Sequence, residues 1–276
     1  MNMTTLVPLT YLFVPGNRPE RFAKAQASGA DRIIIDLEDA VAPADKAQAR
    51  QSVEDWMRGP DARPELTLIR INDAATPWYA DDLALAKAVN AKSVMLPKCE
   101  AASQVADVLR AMPPGTTVLP LIETARGMVA LHEIACTPGV ARLAFGSLDY
   151  MVDLDIPAGS PALEFAAAQI AVASRAAGIA SPVAGVTPDL DAARVSADMM
   201  QSRALGFGAK MCIHPSQVAI VRAALAPTEA ERAWAQRVLQ AWAASAGGAI
   251  QLDGKMVDRP VVLKAERIVA LAAQST

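Results

Sequence analysis

The chain has 276 residues, 53% of them hydrophobic and 20% charged, with a net charge of −3 at pH 7. That length supplies a core for one large α/β domain or two small ones. The slight acidity offers no basic surface for a nucleic acid, the N-terminus shows no basic stretch leading into an apolar segment and a cleavage site, and no apolar run reaches the roughly 18 residues of a membrane span; a cytoplasmic protein with no nucleic-acid or membrane partner is expected.

Eight short apolar runs follow one another, most with a helical pattern behind them. The first, Tyr11–Val14, ends at Pro15-Gly16-Asn17, where Asn17 is expected to cap a helix running to about Ser28. Next come Ile33–Leu37 with a helix over Ala44–Met57, Leu66–Ile71 with a helix over Tyr79–Val89, and Ser93–Leu96 with a helix over Ala101–Met112. Val118–Ile122 precedes a helix over Gly127–Cys136, and Leu143–Gly146 a long helix over Ala162–Ala177. Val183–Val186 precedes Leu190–Leu205, and Lys210–Ile213 a helix after Pro215. Alternating strands and helices imply parallel pairing, since each crossover takes about a dozen residues. Eight such units in this length favour a closed (β/α)8 TIM barrel over an open sheet, and the first strand lacks the glycine-rich turn of a dinucleotide fold. The barrel is expected over residues 1–226 and a C-terminal helical extension over 227–276. That extension reads as a helix capped by Thr228, a break at Ala246-Gly-Gly-Ala249, and a final helix over Pro260–Ala273.

Polar residues gather at the C-terminal ends of these runs, the end that carries catalysis in this fold. Asp36, Glu38 and Asp39 follow the second run, Arg70 and Asn72 the third, Lys98 the fourth, Glu123 the fifth, Asp149 the sixth and His214 the eighth. Glu123 and Asp149 each close an apolar run, where a carboxylate is costly unless it is answered. Two such acids suit a divalent ion with oxygen preference, Mg²⁺ or alternatively Mn²⁺; the other reading pairs them with Arg70 or Lys98. Arg70 either holds a substrate carboxylate bidentately or pairs with Asp36 or Glu38. Arg18 and Lys24 flank a helix start that either binds an anion or is plain solvated charge. His132 reads as structural or surface, and His214 as pocket wall or core. Cys99, Cys136 and Cys212, with no CxxC, form neither a disulfide framework nor a zinc site and read as small buried residues.

Leu12-Phe-Val-Pro-Gly-Asn-Arg-Pro-Glu-Arg-Phe22, Ile35-Asp-Leu-Glu-Asp-Ala-Val41 with Lys46 and Arg50, Ile69-Arg-Ile-Asn72 and Met95-Leu-Pro-Lys98 resemble the citrate lyase β-subunit-like branch of the HpcH/HpaI aldolase superfamily. So do Pro120-Leu-Ile-Glu-Thr124, Phe145-Gly-Ser-Leu-Asp149, Ile213-His-Pro-Ser-Gln217 and Asp253-Gly-Lys-Met-Val-Asp258. The resemblance implies a barrel with a C-terminal lid, as a homotrimer or hexamer, and Mg²⁺ held by Glu123 and Asp149. It implies that Arg70 binds the oxo-acid carboxylate and that Asp258, on the lid, reaches a neighbouring subunit's site and handles the proton on the acetyl carbon. Asn17, Arg18, Lys24, Glu38 and Asp39 are implied on the thioester side.

The reaction so implied is a reversible carbon–carbon cleavage of a 3-hydroxyacyl-CoA thioester, malyl-CoA or citramalyl-CoA, into acetyl-CoA and glyoxylate or pyruvate. The alternatives are a citrate lyase β subunit working with its partner subunits on citryl carried by an acyl carrier protein, and a non-catalytic barrel binding CoA or a carboxylate. Free-acid aldolases of the superfamily carry Glu-His where this chain has Glu38-Asp39, which favours a thioester lyase. The hydroxyl base stays open among Glu38, Asp39, a metal-bound hydroxide and Asp258. Asp155 stands where relatives often have glycine.

Overall fold

The computed structural model describes residues 7–245 and 248–274. Ala246 and Gly247, half of the expected break, lie outside the described residues. The chain divides into two compact units, one spanning Val7–Val221 and one holding the chain from Arg222 onward.

In the first unit eight parallel strands close into a barrel in chain order: β1 (Thr10–Pro15), β2 (Arg32–Asp36), β3 (Thr67–Arg70), β4 (Ser93–Leu96), β5 (Thr117–Ile122), β6 (Ala144–Phe145), β7 (Val183–Ala184) and β8 (Ala209–Cys212), which pairs back onto β1. Each expected apolar run becomes one strand, to within a residue or two. The helices between them are α1 (Phe22–Gln26), α2 (Lys46–Arg58), α3 (Tyr79–Ala88), α4 (Ala102–Ala111), α5 (Ala125–Val129), α6 (Leu131–Ala135), α7 (Ser147–Asp153), α8 (Pro161–Ala176) and α9 (Ala192–Ala204); α10 (Pro215–Leu225) follows β8. Among the described residues no helix is long and apolar enough to cross a membrane.

The barrel interior is filled by Tyr11, Ile34, Leu68, Met95, Leu119, Leu121, Ala144, Val183, Ala209 and Met211. Side chains alternate across a strand, so residues two further on also face inward. Two beyond Ile34 is Asp36, two beyond Leu68 is Arg70, two beyond Leu121 is Glu123, and two beyond Ala144 is Gly146. Hydrophobic alternation thus delivers four polar or small positions to the mouth of the barrel at its C-terminal end.

The loop after β2 is held from beneath by a buried lysine. Lys46, 5% exposed, donates to Leu37 O at 2.6 Å, Glu38 O at 2.7 Å and Asn72 Oδ1 at 2.7 Å. Asn72 in turn donates to Asp82 Oδ2 at 2.6 Å, and Arg50 meets Asp82 Oδ1 at 3.2 Å. Lys46 also sits 5.1 Å from the centroid of the Trp78 ring. With its three protons taken, the buried ammonium fixes the backbone that carries Glu38.

Local expectations fail in three places. Asn17 caps no helix: its amide donates to Asp45 Oδ2 at 3.3 Å, and Pro19 opens a separate 3-10 turn over Pro19–Arg21 before α1. The helix expected over Gly127–Cys136 is two short ones, α5 and α6, meeting at Ala130. Asp149 does not end a strand; it lies in the first turn of α7, a helix the apolar pattern did not disclose. Asp155 has φ of 53°, backbone that favours glycine.

In the second unit Thr228 caps α11 (Glu229–Ala243) through a capping box with Glu231. An unforeseen hairpin follows, β9 (Ile250–Leu252) and β10 (Lys255–Val257), turned by Asp253-Gly254, both at positive φ. Arg237 pairs with Asp253 at 2.8 Å. The last helix, α12 (Arg259–Gln274), packs Val262, Ala265 and Ile268 with Ala235, Val238 and Val257.

Lys46→Met should lower the unfolding free energy by about 3 kcal/mol or more, because Glu38 O and Asn72 Oδ1 lose their buried donor. Urea unfolding checks this; an unchanged midpoint would show that water replaces the ammonium.

Candidate active site

Four carboxylates and two cations occupy the C-terminal rim of the barrel, and the fold accounts for each position. Asp36, 1% exposed, accepts from Arg70 Nε at 2.7 Å and Nη2 at 2.6 Å, and from the Glu38 and Ala40 backbone N–H groups at 2.8 and 3.0 Å. This fork uses the side edge of the guanidinium. Its other terminal nitrogen, Nη1, lies 2.7 Å from Glu38 Oε2 and 3.8 Å from Asp39 Oδ2. The contact with Glu38 is ionic without an aligned N–H: Oε2 is buried and makes no hydrogen bond. The Phe13 ring lies 4.9 Å from the guanidinium carbon and closes its other face.

Lys98 serves two carboxylates at once. Its backbone, at φ 44°, donates N–H to Glu123 Oε1 at 2.7 Å, while Nζ donates to Glu38 Oε1 at 2.6 Å. Glu123, 1% exposed, follows β5 opposite Gly146, since Leu121 pairs with Ala144 and Ile122 with Phe145. A Cβ at position 146 would lie 2.6 Å from Glu123 Cβ and collide with its carboxylate as well, so the site needs glycine there. Asp149 is exposed, and its carboxylate makes no hydrogen bond or ion pair within the described residues.

Burial pushes the Glu123 carboxyl up to about 8; the charges of Glu38 and Asp149 push the same way, against the Lys98 N–H and ammonium. Burial also raises Glu38, opposed by Arg70 and Lys98. Arg70 and Lys98 stay firmly charged: burial works against both, but Asp36 for Arg70 and Glu38 for Lys98 outweigh it.

The donor set fits a hard divalent cation. Glu123 Oε1 is committed to Lys98, and Oε2 accepts no hydrogen bond from the described residues. The Asp149 carboxylate is free and close enough for its charge to act on Glu123. Among the described residues no group of three or more His, Cys, Asp or Glu side chains is placed to hold a metal. Two carboxylates with open positions are what Mg²⁺ takes, the remaining sites going to waters or substrate oxygens.

The rim therefore brings together Glu38, Arg70, Glu123 and Asp149, with Asp39 exposed at its edge. The side edge of Arg70 is filled by Asp36, so a substrate carboxylate would have to use the end carrying Nη1. Lys98, a rim residue after the fourth run to which the sequence gives no role beyond an alternative ion-pair partner, is the bridge between the two buried glutamates; its place just past the end of β4 is the available signal. Asn17 is half-buried, and Arg18 is exposed and paired with Glu20 at 3.1 Å. Lys24 is exposed and makes no hydrogen bond or ion pair among the described residues. In the second unit Asp258 accepts from Val261 N at 3.3 Å through Oδ1, capping α12.

His214 is exposed rather than core, its Nδ1 2.7 Å from Ser216 Oγ. His132 is on the surface as expected. Cys99 and Cys212 are buried, but Cys136 is exposed at the C-terminal end of α6.

The family model described as HpcH/HpaI aldolase/citrate lyase matches residues 9–215. The citrate lyase subunit beta-like protein of Deinococcus radiodurans is 37% identical, with 98% of this chain and 99% of that one covered. The (3S)-malyl-CoA thioesterase of Cereibacter sphaeroides is 30% identical over 95% of this chain and 96% of its own. Among solved structures, CitE of Mycobacterium tuberculosis in complex with magnesium, acetoacetate and coenzyme A superposes with a TM-score of 0.86 at 36% identity, covering 96% of this chain and 98% of that one.

The raised Glu123 carboxyl gives a pH dependence with a definite sign. Between the unfolded glutamate value of about 4.3 and the folded value of about 8, the folded protein holds a proton that the unfolded chain has released. Stability of metal-free protein should therefore fall as pH rises through this window and level off above it. Urea midpoints of the EDTA-treated protein should show that fall, and Glu123→Gln should flatten it; parallel pH profiles for the two proteins would rule the assignment out.

Proposed function

The chain belongs to the HpcH/HpaI aldolase/citrate lyase family of oxo-acid lyases, and from that premise we propose that it cleaves, reversibly, a 3-hydroxyacyl-CoA thioester of the malyl-CoA or citramalyl-CoA type into acetyl-CoA and glyoxylate or pyruvate. The observation that carries this reading is the pairing at one rim of two carboxylates with uncommitted oxygens, Glu123 and Asp149, beside a guanidinium clamped by Asp36. The match to a relative solved with magnesium, acetoacetate and coenzyme A supports a CoA thioester over a carrier-protein substrate.

Glu123 and Asp149 would hold the magnesium ion, which supplies positive charge at the oxygens of the oxo-acid half when bound. Arg70 takes the substrate carboxylate on the end of its guanidinium that carries Nη1, the end Asp36 leaves open. That carboxylate competes with Glu38 for Nη1. Released from one cation and already raised by burial, Glu38 becomes a better base and removes the hydroxyl proton. The bond between the hydroxyl carbon and the thioester α-carbon then breaks. The hydroxyl carbon becomes the oxo carbon, and the bond's electron pair passes to the thioester as an enolate, which takes up one proton to give acetyl-CoA. The family resemblance alone assigns that proton to Asp258 of a neighbouring subunit in a trimer or hexamer, and the CoA side to Asn17, Arg18 and Lys24. The resemblance puts Asp39, exposed at 3.8 Å from Arg70, on that side as well.

Purified protein with Mg²⁺ should release glyoxylate from malyl-CoA or pyruvate from citramalyl-CoA. Asp149→Asn should abolish release, and Arg70→Lys should lower kcat/KM by about 100-fold or more, because a lysine cannot reproduce the Asp36 fork. Free CoA appearing with the hydroxy acid intact would make the enzyme a thioesterase, the activity named for the Cereibacter relative. Oxaloacetate from citryl carrier protein alone would make it a citrate lyase β subunit.

A further inference from the structure

A cavity of about 380 Å³ lies in the first unit behind the barrel wall. Ala209 and Met211 face the barrel interior, so Lys210 between them faces outward, toward the helices. It lines this cavity together with Phe145, Leu163, Gly185, Asp198 and Phe207. Glu123 and Arg70 take the inward alternation and line no part of it.

Lys210 is only 3% exposed. Its ammonium makes one hydrogen bond, to Gly185 O at 2.7 Å, and no ion pair among the described residues. The nearby Asp198 is engaged elsewhere, by Thr187 Oγ1 at 2.8 Å and by Arg194 at 3.2 Å. A buried charge without a counter-ion is costly. Lys46 shows the contrast within this chain, with three acceptors for its three protons. Burial pulls Lys210 toward its neutral form, and Asp198 resists.

We infer that this cavity binds a small monocarboxylate, its carboxylate on the Lys210 ammonium and its short apolar tail between Phe145, Leu163 and Phe207. One ammonium with two spare protons matches a carboxylate group. Glu164 and Asp198 also line the cavity, and its one further cation, Arg194, is already paired with Asp198, which opposes a di- or trianion such as a phosphate ester. The volume falls within the range of small-molecule pockets, roughly 300–1,000 Å³. The cavity shares α7 with Asp149, through Ser147 and Leu148, but includes neither Glu123, Arg70 nor Glu38, and the assignment does not rest on the lyase reading.

Titration calorimetry of butyrate and phenylacetate into the intact, EDTA-treated protein tests it. Binding is expected in wild type and in Glu123→Gln. It should weaken more than about tenfold in Lys210→Met, and equally in Ser202→Leu, which fills the cavity from half-buried α9 and keeps the lysine. Thermal melts confirm that each variant is folded. Absence of binding in wild type, binding lost in Glu123→Gln, or binding untouched by Ser202→Leu would each overturn the assignment.

Discussion

One carboxylate, Asp36, fastens the working end of this barrel. It lies at the end of β2, faces inward because Ile34 does, and receives four donors: two from Arg70 and two from the backbone that follows it. An aspartate buried this deeply would be ruinous unanswered. Answered four times, it does three jobs. It keeps Arg70 in one orientation, leaves a single guanidinium end for a ligand, and folds the loop that presents Glu38. Lys46 finishes the last job from below, taking the Leu37 and Glu38 carbonyls.

With Asp36 and Arg70 balanced, the remaining charge on the rim is unequal. Glu38 has two cations, Lys98 and Arg70. Glu123 has one backbone N–H, the more distant charge of Lys98, and two carboxylates pressing on it. Its proton affinity rises accordingly, and a divalent cation relieves the same excess of negative charge more completely than a proton does. On the proposed reading, metal binding by Glu123 and Asp149 is in this sense a consequence of how the neighbouring ions are spent. Gly146 belongs to the same account, because any larger residue would push the Glu123 carboxylate off its position.

Much of this was legible in the chain. The strands announce themselves as apolar runs bounded by proline, glycine or a charge, and the alternation that buries Leu121 also turns Glu123 into the barrel mouth. Thr228 three residues before Glu231 wrote its capping box openly. What stayed hidden depends on contacts distant in sequence. Asn17 looks like a helix cap until Pro19 and Asp45 are placed around it. The α7 helix is short and hydrophobic enough to pass for the end of a strand, and Asp149 lies in its first turn. Lys98 holds Glu38 across 60 positions of sequence, and its positive φ, which aims the backbone N–H at Glu123, has no signature in residue type. Cys136 is exposed although α6 buries Leu131, Ile134 and Ala135, because it stands past the last of them at the helix end, a place that residue type does not announce.

The two edges of Arg70 argue for an order of events at the site. The side edge is closed by hydrogen bonds of 2.6 and 2.7 Å, and the Phe13 ring lies against the guanidinium carbon. The other end touches Glu38 without a directed hydrogen bond, and Glu38 Oε2 is left unsatisfied in a buried place. A ligand carboxylate entering there meets the less directed of the two contacts and puts one anion in place of another at Nη1, while the Asp36 fork keeps the guanidinium from following. Glu38 then keeps Lys98 alone as its cation, and burial counts more heavily in its proton affinity. On the proposed reading, substrate arrival and activation of the base become one event, which would confine proton abstraction to molecules that carry a carboxylate in the right place. A neutral ligand of the same shape would leave Glu38 paired with both cations and correspondingly weak as a base.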